Sequence, residues 1–195
     1  MKVVDISAWQ EYIDWQALKD YGIQGVIIKL GENYRLDEMF IEHVNNAVKY
    51  GFQYGIYYYS HASSINEGIT EANWVDKKIK EYLRGENPPL GIWMDAEDND
   101  MLLGTNNVVY PIANFIHRLR TLGYTYVGLY SSYNWLTNVI DLGPLPKDVP
   151  IWSAQYGYFE NSFAVENPER ICKIWQYTDC EKISGMQLDC NIYYE

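Results

Sequence analysis

Two carboxylates, Asp95 and Glu97, stand one residue apart, directly after the apolar Ile92-Trp93-Met94. If that run is a strand, residues i and i+2 point to the same face. Their Cα atoms then lie ~6.6–6.8 Å apart at the usual strand rise. Two acids held so close, with poor access to water, raise each other's pKa. That arrangement suits glycoside hydrolysis: one carboxyl protonates the leaving oxygen, and another acts on the opposite face or stabilises the positive sugar. A D-x-E is also common as a solvated pair at a strand end, and the strand context favours the functional reading. Asp5 and Asp189 stand in two further apolar runs, VVDIS and LDCNIYY. They join Asp95 and Glu97 as candidates for one acidic site.

These runs belong to a series of eight. VVDIS starts at Val3, GVIIKL at Gly25, YGIYYYS at Tyr54 and LGIWMDAE at Leu90. YVGLYSS starts at Tyr126, PIWSAQY at Pro150, ICKIWQYT at Ile171 and LDCNIYY at Leu188. They are rich in Ile, Val, Tyr and Trp, as strands are. Several are almost continuously apolar, which predicts strands covered on both faces. Helical patterns separate the early runs. Asp14 is an N-cap candidate with Trp15 and Leu18 behind it, and Gly22 closes that helix. Phe40, Val44, Ala47 and Val48 share one helix face ahead of Gly51. Ile65, Ile69, Ala72, Val75, Ile79 and Tyr82 form a longer stripe. Ile112, Phe115, Leu119 and Leu122 form another before Gly123, and a short helix is expected near Tyr133 to Val139.

Strands alternating with helices predict a parallel sheet with right-handed crossovers. Eight strands suggest closure. The last two runs are about ten residues apart, too few for a helical crossover. The expected fold is therefore an irregular TIM-like (β/α) barrel of eight strands and about five helices, residues 1–195 forming a single catalytic domain. The active site of such a barrel lies at the C-terminal strand ends. A doubly wound open sheet is the alternative, and no G-x-G-x-x-G follows the first strand to support it.

Composition narrows the partners. A net charge of −11 opposes binding to nucleic acid and to anionic membrane surfaces. No apolar run approaches the ~20 residues of a membrane span. Seven Trp and nineteen Tyr suit a sugar-stacking cleft, or a core in which Tyr replaces Phe. Cys172, Cys180 and Cys190 form no C-x-x-C pair, so free thiols are expected and neither a disulfide framework nor a zinc site is supported. Met1 leads straight into a strand-like run, without the charged and apolar regions of a signal peptide.

Taken together, the runs resemble glycoside hydrolase family 25, the Chalaropsis-type lysozymes, over nearly the whole chain. VVDIS with Trp9-Gln10 resembles the family's opening D-x-S/D-x-x-Q. GVIIKLGENY resembles its second strand with a Lys, and WMDAE its W-x-D-x-E signature. GIYYYS resembles a G-x-Y-H-F segment, with Tyr58 where His is usual. VGLYSS, IWSAQY, WQYT and LDCN resemble the later strands in order. The resemblance implies an N-acetylmuramidase that cleaves the β-1,4 bond between N-acetylmuramic acid and N-acetylglucosamine in bacterial peptidoglycan, without a cofactor. It implies Glu97 as general acid and Asp95 as the group that stabilises charge beside it. Asp5 and Asp189 would complete and tune the acidic mouth. Lys29, Tyr59, Tyr130 and Trp152 are the groove-lining candidates, Tyr130 and Trp152 being equally readable as barrel core. Synthesis in a bacterial cytoplasm, action on the wall after release, and a separate wall-binding module outside these residues are expected.

Other chemistries fit less well. A chitinase-like site would want an acid at position 93, which is Trp93. A metal hydrolase lacks paired ligands, since His43 and His117 fall in helical patterns and His61 reads as a rim residue. No G-x-S-x-G elbow is present for a serine hydrolase. A sugar-binding barrel without catalysis would have no need of all four acids.

Overall fold

The computed structural model describes residues 1–104 and 107–194. Strands β1 (Lys2–Ile6), β2 (Gly25–Glu32), β3 (Arg35–Leu36), β4 (Gln53–Tyr59), β5 (Ile92–Asp95), β6 (Val127–Ser132), β7 (Ile151–Ala154), β8 (Cys172–Ile183) and β9 (Met186–Tyr193) form one sheet. Every strand except the two-residue β3 belongs to a closed ring, which runs β1-β2-β4-β5-β6-β7-β8-β9 and returns to β1. Helices α1 (Trp15–Asp20), α2 (Phe40–Tyr50), α3 (Ile65–Tyr82), α4 (Val109–Thr121) and α5 (Ser162–Glu166) accompany it. The eight-stranded barrel and its five α-helices match the architecture expected from the sequence. The short helix expected near Tyr133 is a single π turn at Trp135–Val139.

The direction of the last strand corrects the sequence reading. β1 to β8 run parallel around the ring, but β9 is antiparallel to both β8 and β1. Ser184 and Gly185 join β8 to β9 with φ of +50° and +83°, the conformation of a tight hairpin turn. A short connection cannot carry a parallel crossover, and here it reverses the chain instead. Cys172 and Cys190 therefore do not lie on parallel neighbours. Cys190 is paired with Thr178, six residues along β8 from Cys172, or roughly 20 Å at the strand rise. All three thiols are free.

Strand alternation builds two layers. Val4, Ile28, Tyr58, Met94 and Leu129 face the helices and are fully buried there. Val3, Ile27, Trp93, Tyr130, Trp152 and Ile174 pack inside the ring. The Trp93 and Trp152 rings lie 5.8 Å apart, edge to face. A Cβ at position 128 would come within 2.4 Å of the Trp93 ring, so the bulky indole fits because β6 carries Gly128 beside it. Two residues further along four of the strands, the interior turns polar: Val3 gives way to Asp5, Ile27 to Lys29, Trp93 to Asp95, and Ile174 to Gln176. The period of two that fills the barrel with apolar side chains thus also lifts the polar ones to its mouth.

The helix boundaries follow local chemistry. The Asp14 side chain accepts from the Ala17 N–H at 2.9 Å, and Ser64 caps α3 through the Glu67 N–H at 3.3 Å. Gly51 ends α2 with φ of +76°, the left-handed stop expected there.

Candidate active site

At the C-terminal strand ends lies a cavity of about 200 Å³ lined by Asp5, Trp9, Lys29, Tyr57, Tyr59, Asp95, Glu97, Tyr130, Trp152, Gln176 and Asp189. All four acids and all four groove candidates named from the sequence are among these residues. Asp5 and Asp189 are register partners on β1 and β9. Because β9 runs backwards, the start of that strand meets the ends of the others, and so Asp189 reaches the mouth.

Asp5 is held from two sides. Its Oδ2 accepts from the Asn191 amide at 2.8 Å and the Gln176 amide at 2.9 Å. Asn191 in turn accepts from the Trp152 indole N–H at 2.8 Å. Burial, and then the Asp189 charge, push the Asp5 carboxyl up to about 8 against these hydrogen bonds. Burial, and then Asp179, push Asp189 up to about 6.

Asp95 ends β5 and is 5% exposed, and among the described residues its Oδ1 is buried without a partner. A buried acceptor left unmatched costs stability, which makes it the chief anomaly of the site. Burial, then Glu97, drive its pKa well above the usual carboxylate range, while Lys29 opposes them. The ladder stops at Asp95, but Ala96 still bonds to β6 through its N–H and its carbonyl. Glu97 thus leaves the strand from a fixed point. Its pKa is raised by burial first, then by Asp189 and Asp98. With Asp5 pushed up to about 8, the four acids hold fewer than four charges near neutral pH.

Lys29 is the cation among the lining residues. It pairs with Glu32 at 2.6 Å and lies 5.3 Å from the centre of the Tyr59 ring. The Tyr59 hydroxyl donates to Asp98 at 2.9 Å. Tyr130 and Trp152 form the floor, with ring centroids 4.5 Å apart. They pack in the barrel core and line the cavity at once.

Tyr58, the departure from the sequence pattern, points away from the cavity. It is fully buried against Trp74 and Phe115, and its hydroxyl accepts from the Tyr34 N–H. Its neighbours Tyr57 and Tyr59 take the interior face. His61 stands at the rim, its Nδ1 3.6 Å from Asp98 and 3.7 Å from Asp100. These three residues converge within 4.8 Å, beside the cavity rather than in it. His43 is buried against Trp15 with its Nε2 at the Gln10 carbonyl.

Sequence reasoning missed Tyr57, Gln176 and Asn191. Tyr57 shares strand parity with Tyr59 and could have been found that way. The two amides carry no charge and sit in apolar runs, so nothing in composition marks them.

The sequence model of glycosyl hydrolases family 25 matches residues 4–186. The chain is 25% identical to the autolytic lysozyme of Clostridium acetobutylicum over 95% of its own length, and spans 53% of that relative. It is 23% identical to lysozyme M1 of Streptomyces globisporus, again over 95% of its length, and spans 64% of it. Among solved structures, it superposes on the modular autolysin LytC of Streptococcus pneumoniae, in complex with a synthetic peptidoglycan ligand, with a TM-score of 0.84. Identity there is 25%, over 99% of this chain and 46% of that one. The catalytic domain of endolysin ply40, from bacteriophage P40 of Listeria monocytogenes, gives a TM-score of 0.79 at 26% identity, over 100% of this chain and 93% of that one.

Proposed function

The chain belongs to glycosyl hydrolases family 25, and from that footing we propose that it is a muramidase, cleaving the β-1,4 bond between N-acetylmuramic acid and N-acetylglucosamine in bacterial peptidoglycan. Relatives named as lysozymes and a neighbour solved with a peptidoglycan ligand support that substrate. The partner is the cell wall.

The observation that carries the mechanism is the unpartnered Oδ1 of Asp95 beside Glu97. Glu97, its pKa raised by burial and by Asp189, donates a proton to the departing glycosidic oxygen. The substrate's own N-acetyl oxygen attacks the anomeric carbon. Its amide N–H meets Asp95, whose carboxylate stabilises the positive charge that develops there. Burial and Glu97 raise the pKa of Asp95 in the free protein, and the positive charge growing on the substrate favours its carboxylate form. The amide also completes the hydrogen bonding that Oδ1 lacks. Asp5 and Asp189 tune the pair. Lys29, Tyr59, Tyr130 and Trp152 hold the sugar rings, and Trp9, 90% exposed at the lip, extends the groove outward.

A digest of purified cell walls, reduced with borohydride and read by mass spectrometry, tests the bond assignment. The expected fragments end in reduced muramic acid. Fragments ending in reduced glucosamine would overturn the assignment.

A further inference from the structure

The residue with the fullest bonding at the mouth is Gln176 on β8, which is 1% exposed. Its Oε1 accepts from the Tyr156 hydroxyl at 2.7 Å and the Tyr130 hydroxyl at 3.0 Å. Its Nε2 donates to Oδ2 of Asp5 at 2.9 Å and to Oδ2 of Asp189 at 3.3 Å. One amide thus joins β1, β6, β8, β9 and the loop after β7. We propose that Gln176 is a positioning residue: its amide, oriented by two tyrosines, presents both N–H bonds to Asp5 and Asp189 and holds these carboxylates in place and toward their ionised forms beside Glu97. The inference rests on Glu97 being the general acid.

The orientation is forced. Burial raises the pKa of both tyrosines, so each keeps its O–H as a donor, and only the amide oxygen can receive them. The NH2 group is left facing the acids, with one N–H for each. A donor to a carboxylate favours its charged form. Here that opposes the burial that pushes Asp5 and Asp189 the other way. The charge so kept on Asp189 acts on Glu97, where it is the first cause after burial of that residue's raised pKa. Glu97 is also faced by Asp98 and Asp95, Asp189 by Asp179 and Asp5, and Asp5 by Asn191. None of these except Asn191 is a donor to the acids. A glutamate at position 176 would add a fifth acid, and a lysine would cancel the charge that holds the proton on Glu97. A neutral amide does neither.

The test compares wild type with Gln176→Met, which keeps the length and loses both polar functions. Carboxyl 13C titrations of the ligand-free proteins follow Asp5, Asp189 and Glu97, and kcat/KM on cell-wall fragments is measured against pH. Asp5 and Asp189 should titrate about one unit higher in the variant, the size expected for losing a hydrogen bond to a charged group. With less charge on Asp189, Glu97 should titrate lower, and the alkaline limb of kcat/KM should move to lower pH. KM should change less than kcat. A variant that is merely less stable, with titrations and pH profile unmoved, would overturn the proposal. Should Gln176→Met not fold, the double variant Tyr130→Phe, Tyr156→Phe frees the amide to turn its oxygen toward the acids. It should give the same shifts, and unmoved titrations there overturn the proposal equally. Wild type that is inert on walls sinks the muramidase reading alone, because the titrations need no substrate.

Discussion

At the N-terminal ends of β6, β7 and β8 lies a cavity of about 550 Å³, lined by residues including Arg120, Tyr124, Tyr126, Asp148 and Lys173. The candidate active-site cavity at the opposite strand ends measures about 200 Å³. Both hold tyrosines and charged side chains, and they differ in how those groups are matched. In the larger cavity Arg120 pairs with Asp148 at 3.0 Å, and the Tyr126 and Tyr193 hydroxyls bond to each other at 3.0 Å. In the smaller one four acids face Lys29, which already pairs with Glu32, and Asp95 keeps a buried oxygen without a partner. Volume does not separate the two ends, since a cavity of about 560 Å³ that shares Trp9 and Lys29 with the acidic one also lies at the mouth. What separates them is unmatched, buried acid, the feature that moves pKa values at functional sites.

The contrast can be broken by substitution, beginning at the acidic end. Glu97→Gln keeps shape and removes the proton donor. Lytic activity on cell walls should fall by ~10²–10⁴-fold, the usual worth of general acid catalysis, while circular dichroism stays that of the wild type. A folded Glu97→Gln protein with substantial lytic activity would end the assignment.

Asp5 gives a stability prediction whose sign follows from its raised pKa. The folded state holds a proton on Asp5 up to about 8, whereas the unfolded chain releases it near the ordinary carboxylate value of 3.8. Between those values the folded state binds more protons, so stability falls as pH rises. Asp5→Asn should flatten this slope and raise Tm at pH 8 by a few degrees, since ~1 kcal/mol is worth about 2–4 °C in a chain of this size. A slope in Tm against pH as steep as that of wild type would contradict the burial account of Asp5.

At the opposite end, Arg120→Ala should cost no more than ~1 kcal/mol, because the Arg120–Asp148 pair is partly solvated. Lytic activity should match wild type. A large loss would mean that the two ends are coupled. Excess EDTA should have the smallest effect. His61, Asp98 and Asp100 converge at the rim, but proton donation by Glu97 requires no metal there. Activity lost to EDTA and restored by an added divalent ion would move this cluster into the mechanism.

Much of this arrangement could be read from the residues. The strand runs, the caps at Asp14 and Gly51 and the D-x-E carry local signals that tertiary packing then reinforces. The reversal of β9 was also written locally, in the Ser184-Gly185 pair, but the regular alternation before it favoured a parallel ladder. Asp189 was placed at the mouth from the sequence, yet it arrives there from the other direction. Gln176 and Asn191 escaped notice for a physical reason. Their importance lies in which groups they touch, and contacts between β1, β6, β8 and β9 exist only once the ring is closed. Tyr58 shows the converse. It stands where the motif usually has His, and strand parity sends it to the helix layer.

The division of labour between Asp95 and Glu97 is tested most directly by rescue. An N-acetyl glycoside with an activated aryl leaving group needs no proton donor, but it still needs the positive charge on its acetamido group stabilised. Rates with this substrate, measured side by side for Glu97→Gln and Asp95→Asn, should show Glu97→Gln recovering much of its activity and Asp95→Asn remaining slow. Recovery of both variants to the same degree, or a covalent glycosyl adduct trapped on Asp95, would contradict substrate-assisted catalysis at this site.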